Sequence, residues 1–276
     1  MAQTDREFDI VLWGASGFTG QLVAEYLVGR YGAEGSFRWA LGGRNEKKLD
    51  GVRHELSAPE LPLVLGDGDD AASLEALAAR TRVVCTTVGP YARYGSKLVA
   101  ACAKAGTHYC DLTGELHWIR RMLDAHEDEA RRSGAVIVPT CGFDSIPSDL
   151  GVYYVQREMQ ARDGAPSPHV KGGAAGFSGS FSGGTVASML NMLEEAAKDP
   201  EVRRVMADPY AISPPARSDR PDSPDRTAPA WDEDFGQWTA PFVMAGINTR
   251  VVRRSNALSV ACLAEESSIS CRFRSI

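Results

Sequence analysis

Gly14, Gly17 and Gly20, with Ala15, Ser16, Phe18 and Thr19 between them, are the first residues of the chain whose types and spacing could do chemistry. A glycine at the first place permits a tight turn, and at the second lets backbone approach a diphosphate. At the third it lets a helix pack closely on a strand. The free N–H groups at the start of that helix would face the anion. The spacing is GxxGxxG rather than the commoner GxGxxG, so its meaning depends on the flanking segments. Without a strand before it and a helix after it, the motif is an ordinary turn rich in glycine.

Further candidates stand at the ends of later apolar runs. Gly43 and Arg44 come where an NAD site would carry an acid for the ribose 2′-hydroxyl, and a guanidinium there suits a 2′-phosphate. NADP is therefore favoured, against the plainer reading of Arg44 as a solvated residue. Asp67 reads either as a neighbour of the adenine or as a turn aspartate. Gly89, Pro90 and Tyr91 form a loop that would pass under the nicotinamide half, with Tyr91 either a proton donor or a packing residue. Asp144 and Ser145 are candidate groups for the chemistry, Ser145 as donor and Asp144 orienting it. Both also fit a helix cap ahead of Pro147.

The elements that must position these residues alternate strand and helix. Phe8 to Trp13 has the near-continuous apolarity of a buried parallel strand. Phe18, Leu22, Val23, Tyr26 and Leu27 recur at helical spacing ahead of Gly32, a C-terminal cap. Strands are expected at 37–41, 63–65, 83–87, 108–112 and 135–139, with helices at 46–56, 71–79, 97–105 and 116–133. His117 and His126 are expected to face solvent. The pattern implies an α/β fold with a doubly wound parallel sheet of the Rossmann type, in which ligands sit at the C-terminal edge of the strands.

Beyond Cys141 the pattern changes. A helix is expected at 152–160, a glycine-rich strand from Val170 to Ser182, and a helix at 186–197 with Met189, Leu190 and Leu193 inward. Residues 208–229 hold six of the fifteen prolines among Asp, Arg and Ser, the composition of an exposed loop. Trp231, Phe235 and Trp238 either line an apolar cleft or pack a returning loop, and 239–252 reads as a strand turning at Gly246. The division expected is a nucleotide-binding domain over 1–150, a mixed α/β substrate domain over 151–258, and an atypical tail over 259–276 that reads as truncated or shifted in frame.

Composition sets outer bounds. With 276 residues, 43% hydrophobic and 24% charged, the chain is long enough for two cores. A net charge of −6 argues against nucleic acid as a partner. The six cysteines show no metal or disulfide spacing, and Cys85 and Cys110 read as buried thiols. No metal is expected. The short polar start and the lack of a membrane-length apolar run imply a cytoplasmic protein, with peripheral association at a lipid surface left open.

Together, Gly14–Gly20, Gly89-Pro90-Tyr91 with Tyr94-Gly95, Tyr109–Glu115, Cys141–Asp149 and Ser182–Thr185 resemble the saccharopine dehydrogenase-like oxidoreductases. The nearest branch holds the trans-acting enoyl reductases that serve polyketide synthases in lipid assembly. What the resemblance implies is an NADP-type Rossmann domain and a mixed α/β domain with substrate between them. It also implies reduction of a free or carrier-bound acyl thioester, with a polyketide synthase as partner. Two other readings stand beside it: an amino-acid dehydrogenase like the family's namesake, and a nucleotide-binding protein that docks on a lipid surface or synthase without chemistry.

Overall fold

In the computed structural model, residues 6–175, 182–214, 225–263 and 270–275 are described. The chain divides into two compact units, Met1–Cys141 with Gly183–Met192, and Gly142–Ser182 with Leu193–Ile276.

In the first unit the elements run β1 (Phe8–Trp13), α1 (Phe18–Tyr31), β2 (Trp39–Gly43), α2 (Glu46–Glu55), β3 (Leu63–Leu65), α3 (Ala71–Arg80) and β4 (Thr81–Thr86). They continue through α4 (Tyr91–Tyr94), α5 (Ser96–Ala105), β5 (His108–Cys110), α6 (Leu116–Ser133) and β6 (Ile137–Val138). The six strands form one sheet in the order β3-β2-β1-β4-β5-β6. Every pairing is parallel, with Leu12 opposite Leu41 and Cys85, and Val84 opposite Tyr109. This is the Rossmann order, whose reversal between β1 and β4 opens a crevice at the C-terminal edge.

Leu12, Leu41, Trp39, Leu49 and Leu61 are buried in one cluster with Ala15 and Ala24 of the first turn and helix. Each large side chain so buried contributes about 1.5–3 kcal/mol. The inward face of α1 differs from the expected one. Gly20 and Ala24 are buried, Val23 and Leu27 pack beside them, and Phe18, Leu22 and Tyr26 point outward at 71%, 51% and 62% exposure. The reason lies at Gly20: a Cβ there would stand 2.2 Å from the Gly14 carbonyl oxygen, so the helix axis lies too close to the turn for any larger residue. That contact sets which side of α1 meets the sheet.

Strand β2 starts and ends two residues later than expected. Its register against β1 extends to Trp13 opposite Gly42, where a Cβ would meet Val11 and the Trp13 ring at 2.9 and 3.0 Å. His117 is buried instead of solvent-facing, because the first turn of α6 enters the interior with Trp118 and Ile119.

The second unit holds α7 (Ile146–Asp163), β7 (His169–Ala174), α9 (Pro200–Ala207), β8 (Ala230–Asp232), β9 (Gln237–Pro241), α10 (Ala245–Leu263) and β10 (Ser270–Ser275), while α8 (Gly183–Lys198) belongs to the first unit up to Met192. Its sheet is mixed, in the order β7-β10-β9-β8, with β10 parallel to β7 and antiparallel to β9. Val152 of α7 and Val252 of α10 form its small apolar cluster, with Val170 packed against them. The strand expected over 239–252 is a strand only to Pro241, and α10 takes the rest.

Three arginines explain the helix. At a spacing that shares one side of α10, Arg250 donates to the carbonyls of Met206 and Asp208, Arg253 to that of Pro209, and Arg254 to that of Ile212. Tertiary hydrogen bonding overrides the β-branched composition of the segment. The same contacts correct part of the expected exposed loop: Ala211, Ile212 and Ser213 are buried, while 215–224 lie outside the described residues.

Trp231 and Trp238 are cross-strand partners on an exposed face, ring centroids 6.4 Å apart and edge to face. The outward face of α8 carries Met189, Leu190 and Leu193, the reverse of the expectation, and its buried residue is the polar Asn191. Helix α9 was not expected, although Asp199 caps it by accepting from the Glu201 amide and Pro200 opens it.

The Gly20 contact is tested by Gly20→Ala against Gly51→Ala, a helical glycine whose Cβ would meet nothing within 4 Å. The first change is expected to lower stability by at least about 1–3 kcal/mol. The second is expected to raise it by about 0.5–1 kcal/mol. Urea midpoints at constant m-value give both numbers.

Candidate functional site

The glycine turn leaves β1 in a conformation that only glycine adopts easily. Gly14 has φ +90°, and a Cβ there would lie 2.5 Å from the Val88 side chain of the neighbouring strand end. The Gly14 and Ala15 amides donate to the Gly42 carbonyl, and the Gly17 amide donates to the Gly14 carbonyl at 2.9 Å. Gly17 is the N-cap of α1 and places no side chain over the helix start. The Ser16 carbonyl, turned to the other side, accepts from the Gln21 amide group. What remains is a bare helix N-terminus with backbone on both flanks, the form in which backbone N–H groups and the helix dipole receive a phosphate. Glycine at 14 and 20 is required by the turn's own packing, since a Cβ at either would run into Val88 or the Gly14 carbonyl.

At the end of β2, Gly43 is buried against Leu49 and Arg44 is exposed. Asn45 caps α2 by accepting from the Lys48 amide at 3.0 Å, which leaves the Arg44 guanidinium facing solvent at the strand end. Asp67, also exposed, accepts from the Asp69 amide at 2.9 Å, while its own amide donates to Ser73 Oγ. The geometry is that of a turn aspartate, and it leaves the second carboxylate oxygen outward.

The β4 edge is built differently. Pro90 is the N-cap of the short α4, and Tyr91 is 3% exposed with its ring 5.6 Å from that of Trp118. The Tyr91 hydroxyl donates to the Thr86 carbonyl at 3.3 Å and accepts from the Leu112 amide at 3.4 Å. Burial, with the nearby Asp111 charge adding to it, raises its pKa far above the ordinary phenol value. Tyr91 is thus a wall residue whose proton is already engaged.

Two buried carboxylates organise this edge. Asp111 Oδ1 accepts from the amides of Thr113 and Thr140, and Oδ2 accepts from the Tyr109 hydroxyl at 2.7 Å. Burial raises its pKa to about 6 despite these donors, and the Glu115 charge adds a smaller push in the same direction. Glu115 is 2% exposed and accepts from the amides of Tyr91 and Ala92 and from Ser188 Oγ. Nothing in the spacing around Ser188 marked it beforehand.

Asp144 and Ser145 belong to the second unit, and Tyr91 to the first. Ser145 stands at the N-cap of α7 but does not cap it with its side chain; its hydroxyl donates to Asn248 Oδ1 at 2.8 Å. Asn248, 0% exposed, returns donors to the Asp144 carbonyl and to Ser148 Oγ. Asn248 was hidden in the run read as a strand. Asp144 itself has an exposed side chain. Among the described residues no group of His, Cys, Asp or Glu could hold a metal ion, and no helix is long and apolar enough to cross a membrane.

With this geometry in place, the comparisons gain meaning. Residues 10–138 match the family described as the saccharopine dehydrogenase NADP binding domain. This part of the chain is similar to that family. The match spans the glycine turn, Arg44 and both buried carboxylates, and the family's cofactor agrees with the one inferred from Arg44.

Over 266 residues the chain is 47% identical to Rv2449c of Mycobacterium tuberculosis, covering 94% of this chain and 63% of that protein. It is 46% identical over 271 residues to the trans-acting enoyl reductase of Mycobacterium bovis, with the same two coverages of 94% and 63%. The chain therefore spans about 63% of the length of the curated relatives it matches. Apo saccharopine dehydrogenase (L-Glu forming) from Saccharomyces cerevisiae is similar at 20% identity and TM-score 0.43, over 57% of this chain and 32% of that one. The NADP(H) complex of Citrobacter sp. triphenylmethane reductase gives 18% and 0.37, over 59% and 57%. Structural likenesses this slight carry no argument about activity.

Asp111→Asn is expected to keep the fold, since an Asn oxygen still accepts from both amides and its NH2 donates to the Tyr109 oxygen. In the wild-type protein the folded state holds a proton that the unfolded chain releases near the ordinary carboxyl pKa of 3.8, so this group lowers stability as pH rises from there through about 6. The loss amounts to about 3 kcal/mol. Denaturant titrations between those pH values should show a flatter profile for the variant.

Proposed function

We propose that the chain is an NADPH-dependent enoyl reductase acting on lipid or polyketide acyl thioesters, working in trans with a synthase. The observation that carries the reading is the uncapped start of α1 beside a turn too tight for side chains, followed at the next strand end by an exposed Arg44. Identities of 44–47% to proteins whose names include trans-acting enoyl reductase support the reaction class.

The bound coenzyme would supply the hydride; the chain supplies everything that aims it. The amides of Ser16 and of the first helical residues Phe18, Thr19 and Gly20 hold the diphosphate, while those of Gly14, Ala15 and Gly17 fold the turn by donating to the Gly42 and Gly14 carbonyls. Gly43 keeps the end of β2 slim, and Arg44 pairs with the 2′-phosphate. Asp67 borders the adenine side. Gly89 and Pro90 form the floor on the nicotinamide side, and Tyr91 stiffens that floor from behind. Of the three residues assigned to the chemistry, Asp144 keeps a solvent-facing side chain, whereas the hydroxyl of Ser145 donates to Asn248 as that of Tyr91 does to the Thr86 carbonyl.

A second reading, nucleotide binding without turnover, draws on the hydroxyls of Tyr91 and Ser145 being already engaged. An amino-acid dehydrogenase is less favoured. A substrate with several carboxylates calls for convergent cations, yet Arg250, Arg253 and Arg254 are engaged with carbonyls and Lys171 with Asp232 and Asp234.

Arg44→Ala is expected to weaken NADPH binding on the order of tenfold or more while leaving NADH nearly unchanged. Parallel fluorescence titrations measure the ratio, and an equal loss for both coenzymes would remove the basis for NADP. Single-turnover absorbance of NADPH with a panel of trans-2-enoyl thioesters separates reductase from silent binder: oxidation by at least one of them is expected.

A further inference from the structure

Glu115 occupies a place where a charge needs a reason. Its side chain lies in the interior at 2% exposure, on the loop between β5 and α6, yet it contacts neither lysine nor arginine among its hydrogen-bond partners. Instead Oε1 accepts from the Tyr91 amide at 2.8 Å and from Ser188 Oγ at 2.9 Å, while Oε2 accepts from the Ala92 amide at 2.9 Å. A buried carboxylate is tolerated when several donors converge on it. Here those donors come from two other parts of the chain: the turn that follows β4, and the first half of α8.

Both segments belong to the first unit. They are joined a second time by Arg93 Nε donating to the buried Asn191 Oδ1 at 2.6 Å. Ser188 lies beside the turn, since a Cβ on Gly89 would be in ordinary contact with the Tyr91 ring at 3.4 Å and with Ser188 Oγ at 3.6 Å. The turn is held by hydrogen bonds, and the carboxylate is what its two amides point at. Because Glu115 fills the start of α4, that helix end is spoken for, and the coenzyme phosphates are left to α1.

We propose that Glu115 is a positioning residue, holding the backbone of Pro90–Ala92 in the shape that supports the nicotinamide half of the coenzyme, with Ser188 of α8 completing its set of donors. The proposal rests on the reading of this sheet edge as the NADP site. It assigns to α8, through Ser188, a direct hold on the turn.

Glu115→Gln tests it with almost no change in volume. One carboxylate oxygen becomes an NH2 group, which must then face either the Ala92 or the Tyr91 amide, donor against donor, although the Ser188 hydroxyl can turn to accept from it. Wild type, Glu115→Gln, Ser188→Ala and the double variant are titrated with NADPH and with NADH, following nicotinamide fluorescence intensity and lifetime.

The expected result for Glu115→Gln is weaker binding of both coenzymes by a common factor, on the order of tenfold, with an altered lifetime. The preference for NADPH over NADH stays as in wild type, because Arg44 is untouched. Ser188→Ala should give a smaller loss in the same direction, about threefold, and the double variant less than the product of the two, since both act on one carboxylate.

Wild-type affinity and lifetime in both single variants overturn the proposal, as do losses that multiply as for independent sites. Should Glu115→Gln fail to fold, Ser188→Ala decides alone, and an unchanged lifetime in it is the overturning result. A wild-type protein that binds neither coenzyme defeats the reading of the edge as an NADP site, an outcome distinct from all of these.

Discussion

The approach of α1 to the end of β1 is the constraint on which the first unit depends. The Gly14 carbonyl accepts from the Gly17 amide and lies where a Gly20 side chain would have to be, so three glycines let a helix begin almost on top of a strand end. That closeness has two consequences at once. It buries Ala15 and Ala24 in the cluster around Leu12 and Leu41, which is stability. It also leaves the start of α1 without a side-chain cap, beside the point where the sheet order reverses.

The far half of the same edge is organised by carboxylates in place of glycines. Asp111 gathers the ends of β5 and β6 through the amides of Thr113 and Thr140, and Glu115 gathers the turn after β4. Burying an acid is unfavourable unless donors meet it, and the raised pKa of Asp111 comes mainly from its burial, with the Glu115 charge a smaller addition. Loops with their own polar groups satisfied in this way are stiff.

The second unit solves a different problem. Its apolar cluster is small, centred on Val152 and Val252, and much of its order comes from polar contacts. The arginines of α10 hold the 206–212 backbone, Arg250 pairs with Asp225, and Arg253 lies 5.0 Å over the Tyr210 ring. Asn248 ties the start of α7 to the same helix. A unit assembled from long-range polar contacts has no strong sequence period, which is why the apolar run 239–252 suggests a strand where α10 forms and why α9 leaves little trace in the sequence.

The division between what was legible and what was not follows from the range of the forces involved. Local patterning was enough for the alternation of strands and helices through Val138, for the glycine turn, for Arg44 at a strand end and for Pro147 in the first turn of a helix, because backbone sterics and buried parallel strands leave marks within a few residues. Which face of α1 turns inward, the burial of His117, the engagement of Tyr91 and Ser145, and the meeting of Glu115 with Ser188 across the fold were decided only in three dimensions. A hydrogen bond between groups far apart in the chain depends on where the backbone has already been carried. Period and composition record hydrophobic burial well, but they carry no record of which distant donor a buried acid will find.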